Sequence, residues 1–172
     1  MGKWENYLIV LGVFLLFSFS SFVGDKDASG NSYTYSSIEA INCMAQNIYF
    51  EARAESTAGK IAVGQVVLNR SKDKGFPTGV CDVIKQGSHF SNGVPKRDLC
   101  QFSWYCVGKT DYPSDKGAWR ESLRLADYLL SGRVELLDIT DGAKYYHAEY
   151  VQPRWASRKY KTAKIDRHIF YR

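Results

Sequence analysis

The sequence has no Cys-x-x-Cys knuckle, no His-x-x-x-His pair and no glycine-rich phosphate loop in its 172 residues. Each absence removes a class of chemistry. Four cysteines without knuckle spacing do not make the usual structural zinc site. Three histidines, His89, His147 and His168, stand at no ligand spacing. Neither a metal nor a cofactor is expected. Internal repeats are missing too. The lysines and arginines are scattered rather than run together. The net charge of +5 therefore reads as a solvated basic face suited to a polyanionic surface, and not as a reader of nucleic acid.

One long stretch lacks charge altogether: Tyr7 to Val23, seventeen residues behind Lys3 and ahead of a polar segment. That is the layout of a secretory signal or a short membrane anchor, at the lower limit for spanning a bilayer. An Ala-x-Ala cleavage site is absent, and Ser18-Phe19-Ser20 is the nearest small-x-small pattern, so removal and retention both stay open. The expected organisation is a signal or anchor over 1–24, a linker over 25–35 and a folded domain over 36–172. The domain would be exported to the periplasm or cell envelope as a monomer, touching the inner membrane only through the N-terminal segment. About 145 residues make one ordinary domain with a real core. An even cysteine count outside the cytoplasm favours disulfides, and four cysteines allow three pairings. Cys100 and Cys106 close a short loop and are the first expectation, which leaves Cys43 with Cys81.

Ser36 and Glu39 are spaced as a capping box. Ile38, Ile41, Ala45, Ile48 and Ala52 then recur at helical spacing, predicting a helix over about 37–53. Ser56-Thr57 can start a second helix to Asn69 or Arg70, apolar nearly all round and so central. From Ser71 to Pro113 the chain reads as a long loop region with short elements. Asp115 can start a third helix with Trp119, Leu123, Ala126 and Leu130 on one face, ended by Gly132. Short strands are predicted in AKYYHA and in KIDRHIFYR. Helices first and strands late give a mainly helical α+β domain.

Glu51 lies about 60° around the first helix from Ile48, on the flank of the apolar stripe. A half-buried carboxyl there has a raised pKa, because desolvation disfavours its charged form. An acid still protonated near neutral pH can give its proton to a leaving oxygen. The plain alternative is a surface glutamate paired with Arg53 or Lys60.

The segment around Glu51 resembles the core motif of the SleB/CwlJ-type cell wall hydrolases, in Tyr49, Glu51, Arg53, Glu55, Gly59, Ala62-Val63, Val66 and Asn69-Arg70. The likeness continues through Phe76-Pro77, Val80, Val83, Phe102-Ser103, Tyr145-Tyr146, Trp155, Ile165, His168 and Phe170. Two positions depart from the pattern: Ala54 and Asp166 stand where glycine is usual. The resemblance implies a lysozyme-like fold acting on the bond from N-acetylmuramic acid to N-acetylglucosamine in bacterial peptidoglycan. It also implies a lytic transglycosylase mechanism with Glu51 as the acid. Phage lysins, remodelling enzymes and germination enzymes would share such a domain.

Glu51 and Glu55, i and i+4 on one helix, would project the same way and could not straddle a sugar ring, so a single acid is expected. Glu55 would orient the site or pair with Arg53. Candidate substrate contacts are Glu55, Gln65, Ser103, Trp104, Tyr145 and Tyr146. Gln65 reads equally as a satisfied structural amide, and Ser103 and Trp104 as a hydroxyl and a ring offered to a sugar. Tyr145, sharing a strand face with His147, could steady Glu51. His168 reads as a satisfied core histidine. The rival readings are a zinc amidase of the muramoyl–L-alanine bond and a non-catalytic wall-binding module.

Overall fold

The computed structural model describes residues 35–107, 112–131 and 137–172. The anchor, most of the linker and Gly132 lie outside the described residues. Four helices come first: α1 Tyr35–Ala52, α2 Thr57–Ser71, α3 Val80–Ile84 and α4 Lys116–Leu130. A small hairpin, β1 Gly87–His89 with β2 Pro95–Cys100, sits between α3 and α4. The C-terminal part is an antiparallel sheet of β3 Tyr145–Ala148, β4 Lys161–Ile165 and β5 His168–Tyr171. β5 lies in the middle of that sheet, with β3 and β4 on either side. The fold is mainly helical α+β, as the sequence pattern predicts. No helix among the described residues is long and apolar enough to cross a membrane.

The caps explain where α2 and α4 begin. The Ser56 hydroxyl accepts from the Gly59 amide at 3.3 Å, and the Asp115 carboxylate accepts from Gly117 and Ala118 at 2.8 and 3.0 Å. Each satisfies amides that no helical carbonyl can reach. At α1 the expected capping box does not mark the start, because the chain is already helical at Tyr35. The other end of α1 also differs from expectation. It stops at Ala52, where the Glu55 amide folds back to the Ala52 carbonyl at 2.9 Å. Glu55 therefore stands in the α1–α2 turn, off the helix that carries Glu51.

α2 is apolar nearly all round because it is covered on two sides. Val67 packs with Met44, Ile48 and Leu129 in the helical core, while Ala62 and Val66 meet Ala143 and Phe170 from the sheet side. The 71–113 region is tied by both expected disulfides, Cys43–Cys81 and Cys100–Cys106, with Cα separations of 5.4 and 5.9 Å. The first fastens α1 to α3 across 38 residues. In the chain-entropy picture such a closure contributes about 4 kcal/mol.

KIDRHIFYR folds as the end of β4, a two-residue turn and β5. Asp166, the departure from glycine, takes φ 48° in that turn. Aspartate is among the few residues that tolerate this left-handed region. It also gains something glycine cannot: its carboxylate accepts from the Ser56 amide and hydroxyl at 2.9 and 2.7 Å. The motif glycine Gly59 makes room for this contact, since a Cβ there would fall 2.3 Å from the Asp166 carboxylate.

Candidate active site

Glu51 is the next-to-last residue of α1, one turn beyond Asn47. Its neighbours Tyr49 and Ala52 are each 2% exposed, so this end of the helix is anchored on two sides. Phe50 stacks on Trp104 with centroids 5.0 Å apart. The Tyr49 hydroxyl accepts from the Asp115 amide at 3.0 Å, which ties α1 to the cap of α4.

The Glu51 carboxylate accepts a 2.8 Å hydrogen bond from the Tyr146 hydroxyl. Burial raises its pKa, while Tyr146 and the Arg70 charge pull the other way without cancelling that effect. Neither Arg53 nor Lys60 pairs with it. The Arg53 guanidinium lies 5.2 Å from the Tyr49 ring centroid, and Lys60 bonds Glu121 at 2.9 Å. Tyr146 is held well above an ordinary phenol pKa, first by burial and then by Glu51. It stays a proton donor across the physiological range.

Arg70 completes the group. It is 4% exposed at the end of α2, and its Nε donates to the Lys144 carbonyl at 2.7 Å. Its guanidinium carbon lies 5.2 Å from the Phe76 ring centroid, 5.1 Å from that of Phe102 and 5.9 Å from that of Tyr145. The buried Nη1 has no hydrogen-bond partner among the described residues, and neither has Nδ2 of Asn47. A buried guanidinium answered by rings and one carbonyl is an expensive arrangement. Its charge acts on Glu51 and Tyr146.

The other candidates separate. Tyr146 steadies Glu51, while the Tyr145 ring lies between cations, 5.9 Å from the Arg70 guanidinium carbon and 3.5 Å from the Lys159 ammonium. Glu55 pairs with Arg167 rather than Arg53, accepting from its Nε at 2.9 Å and also from its Nη2. The premise of two glutamates projecting from one helix therefore fails. Gln65 uses both amide atoms on the 137–139 backbone, donating to Leu137 at 2.8 Å and accepting from Ile139 at 3.1 Å. That is the structural alternative weighed for it. Trp104 is 9% exposed and donates to Asn47 Oδ1 at 3.0 Å; its ring belongs to the core rather than to a sugar face. Ser103 beside it is exposed. His168 is buried, but its Nδ1 has no partner among the described residues. Its ring meets Tyr146 edge-on at 5.2 Å.

Sequence reasoning passed over Arg70 and Asn47 as site residues. A signal existed for Arg70: a charged side chain in a helix as apolar as α2 must be buried, and a buried polar group needs a reason.

The family model described as Cell Wall Hydrolase matches residues 54–171, a stretch that opens just beyond Glu51. The spore cortex-lytic enzyme of Halalkalibacterium halodurans is 30% identical over 131 residues, covering 76% of this chain. The chain spans only about a third of that curated relative, 34% of its length. Two solved structures share the fold. The catalytic domain of the Bacillus cereus SleB protein superposes with a TM-score of 0.57 at 24% identity, over 83% of this chain and 94% of that one. The catalytic domain of the germination-specific lytic transglycosylase SleB from Bacillus anthracis gives 0.54 at 25% identity, over 83% and 98%. The chain belongs to the cell wall hydrolase family of enzymes, and its folded unit has the SleB catalytic-domain fold.

Proposed function

We propose that this domain cuts the glycan strands of peptidoglycan at the bond from N-acetylmuramic acid to N-acetylglucosamine, as a lytic transglycosylase in which Glu51 is both acid and base. The observation that carries the reading is the Glu51 environment. Burial raises the pKa of its carboxyl, and a neutral donor, Tyr146, is already aimed at it. Among the described residues, the groups acting on its charge are Tyr146 and Arg70. Neither is a second carboxylate.

Protonated Glu51 gives its proton to the glycosidic oxygen as the bond to the muramic C1 breaks. The electron-poor C1 is then attacked by the same sugar's C6 oxygen, and the Glu51 carboxylate takes up the C6 hydroxyl proton. The products are a free N-acetylglucosamine hydroxyl and a 1,6-anhydro ring, with no water consumed. Tyr146 and the Arg70 charge favour the carboxylate in the interval between the two transfers, when Glu51 is anionic. Burial favours the acid before and after. Burial raises the pKa while Tyr146 and Arg70 oppose it, which suits a group that gives and retakes a proton.

We place the domain outside the cytoplasm, in the envelope, on the strength of its two disulfides and the apolar N-terminal run. Digestion of purified sacculi, read by mass spectrometry, tests the function. Anhydro-ended muropeptides are expected, and they should vanish with Glu51→Gln. Released stem peptides, blocked by a chelator, would replace this reading with a zinc amidase. Binding without products, unaffected by Glu51→Gln, would leave a wall-binding module.

A further inference from the structure

The sheet has two faces, and the Glu51 site uses only one. Tyr146 points towards α1, so its strand neighbour His147 points away, and in β5 Ile169 shares that outer face. There the segment after β3 folds over the sheet and leaves a cavity of about 450 Å³, a size typical of small-ligand sites. Ile169 and Tyr171 contribute from β5, and Gln152, Pro153, Arg154 and Ala156 from the covering segment.

The charges on this cavity do not balance. Glu149 at its edge is tied to Lys164 at 2.6 Å, and that pair holds its carboxylate below the ordinary range. Arg154 and Gln152 are exposed at the cavity mouth, and among the described residues neither side chain is held by an ion pair or a hydrogen bond. The cavity thus offers one unanswered cation and a neutral donor and acceptor beside small apolar surfaces. A sugar would want an open aromatic face, but the rings here already cover one another. His147 stacks on Tyr171 at 5.3 Å, and Trp155 meets Tyr171 edge-on at 5.4 Å. The chemistry that fits is a carboxylate at the end of a short peptide with methyl-sized side chains.

We propose that this outer-face cavity is a second substrate site, holding the carboxylate-terminated end of a peptidoglycan stem peptide, with Arg154 on the carboxylate, Gln152 on the peptide amide and Pro153 and Ile169 against the alanine methyls. The assignment rests on the peptidoglycan reading above. It makes the enzyme recognise strands that carry peptides while cutting the glycan elsewhere.

Two variants of the full-length chain test it: Arg154→Glu, which reverses the charge, and Ala156→Trp, which fills the cavity. Each is compared with wild type on peptide-bearing strands and on strands stripped of peptides by an amidase. Loss of one charge-assisted contact is expected to raise KM about tenfold on peptide-bearing strands, with kcat on both substrates and KM on stripped strands unchanged. Equal effects on both substrates, or none on either, would overturn the proposal. If wild type cut neither substrate, the glycan-cleaving reading would fall, and the cavity would be judged by binding alone. Free stem peptide titrated into labelled protein should then shift the resonances of 149–157 and 169–171 in wild type but not in Arg154→Glu. No shifts there in wild type would overturn it as well.

Discussion

Two glutamates separated by a single turn of chain have been given opposite surroundings. Glu55, in the α1–α2 turn, has a side chain only 6% exposed, and it meets the guanidinium of Arg167 together with that residue's backbone amide, which lies at 3.3 Å. Its charge is answered. Glu51, at the end of α1, has one phenolic hydroxyl and the charge of Arg70, and burial raises its pKa. Its charge is left partly unanswered. A fold that needed both residues for stability alone would have paired both. The contrast separates a carboxylate that closes the structure from one whose surroundings raise its pKa, as the proposed acid-base role requires.

Glu51→Gln makes the sharpest break. Turnover on sacculi is expected to fall by roughly 10²–10⁴-fold, the usual worth of a positioned acid-base group. The same change should stabilise the fold. A carboxyl with a raised pKa binds its proton more tightly folded than unfolded, so its favourable contribution is complete below the ordinary carboxylate range. That contribution is lost as pH rises through the raised value. Melting temperature should therefore exceed wild type at pH 7 and match it near pH 4. A mutant less stable at neutral pH would contradict the raised pKa.

Tyr146→Phe removes the donor and leaves the ring. About a 10–100-fold fall in kcat is expected, in line with loss of one oriented hydrogen bond to a charged group. The Tyr146 bond lowers the Glu51 pKa, so the alkaline limb of the pH–rate profile should move up. Arg70→Met keeps the packing between the rings and removes the charge. It should shift that limb in the same direction with a smaller loss of rate, and a downward shift would remove Arg70 from the site. The smallest effect on rate belongs to Arg167→Ala. Stripping Glu55 of its partner should lower the melting temperature while kcat on sacculi stays close to wild type. A collapse of kcat without loss of stability would erase the distinction between the two glutamates.

Local rules reached a good part of this. Periodicity and caps placed α2 and α4, and loop length picked out the Cys100–Cys106 bridge. What escaped depends on partners far along the chain or on parity. Nothing local says which of Tyr145 and Tyr146 faces inward, because a strand shifted by one residue exchanges its faces. The register of β3 on β5, with Tyr146 opposite the fully buried Phe170, decides it. Arg53 was the obvious partner for Glu55, yet Arg167 reaches it across 112 residues. Trp104 looked free in a loop of aromatics until Asn47, buried on α1, supplied an acceptor for its indole N–H.

The most direct test of the single-acid account is digestion of sacculi by the full-length chain in heavy-oxygen water, with the new ends analysed by mass spectrometry. The account predicts 1,6-anhydro ends, lighter than reducing ends by one water, free of solvent label and absent with Glu51→Gln. Reducing ends carrying the heavy oxygen would show that water, not the C6 hydroxyl, attacks, and would contradict it.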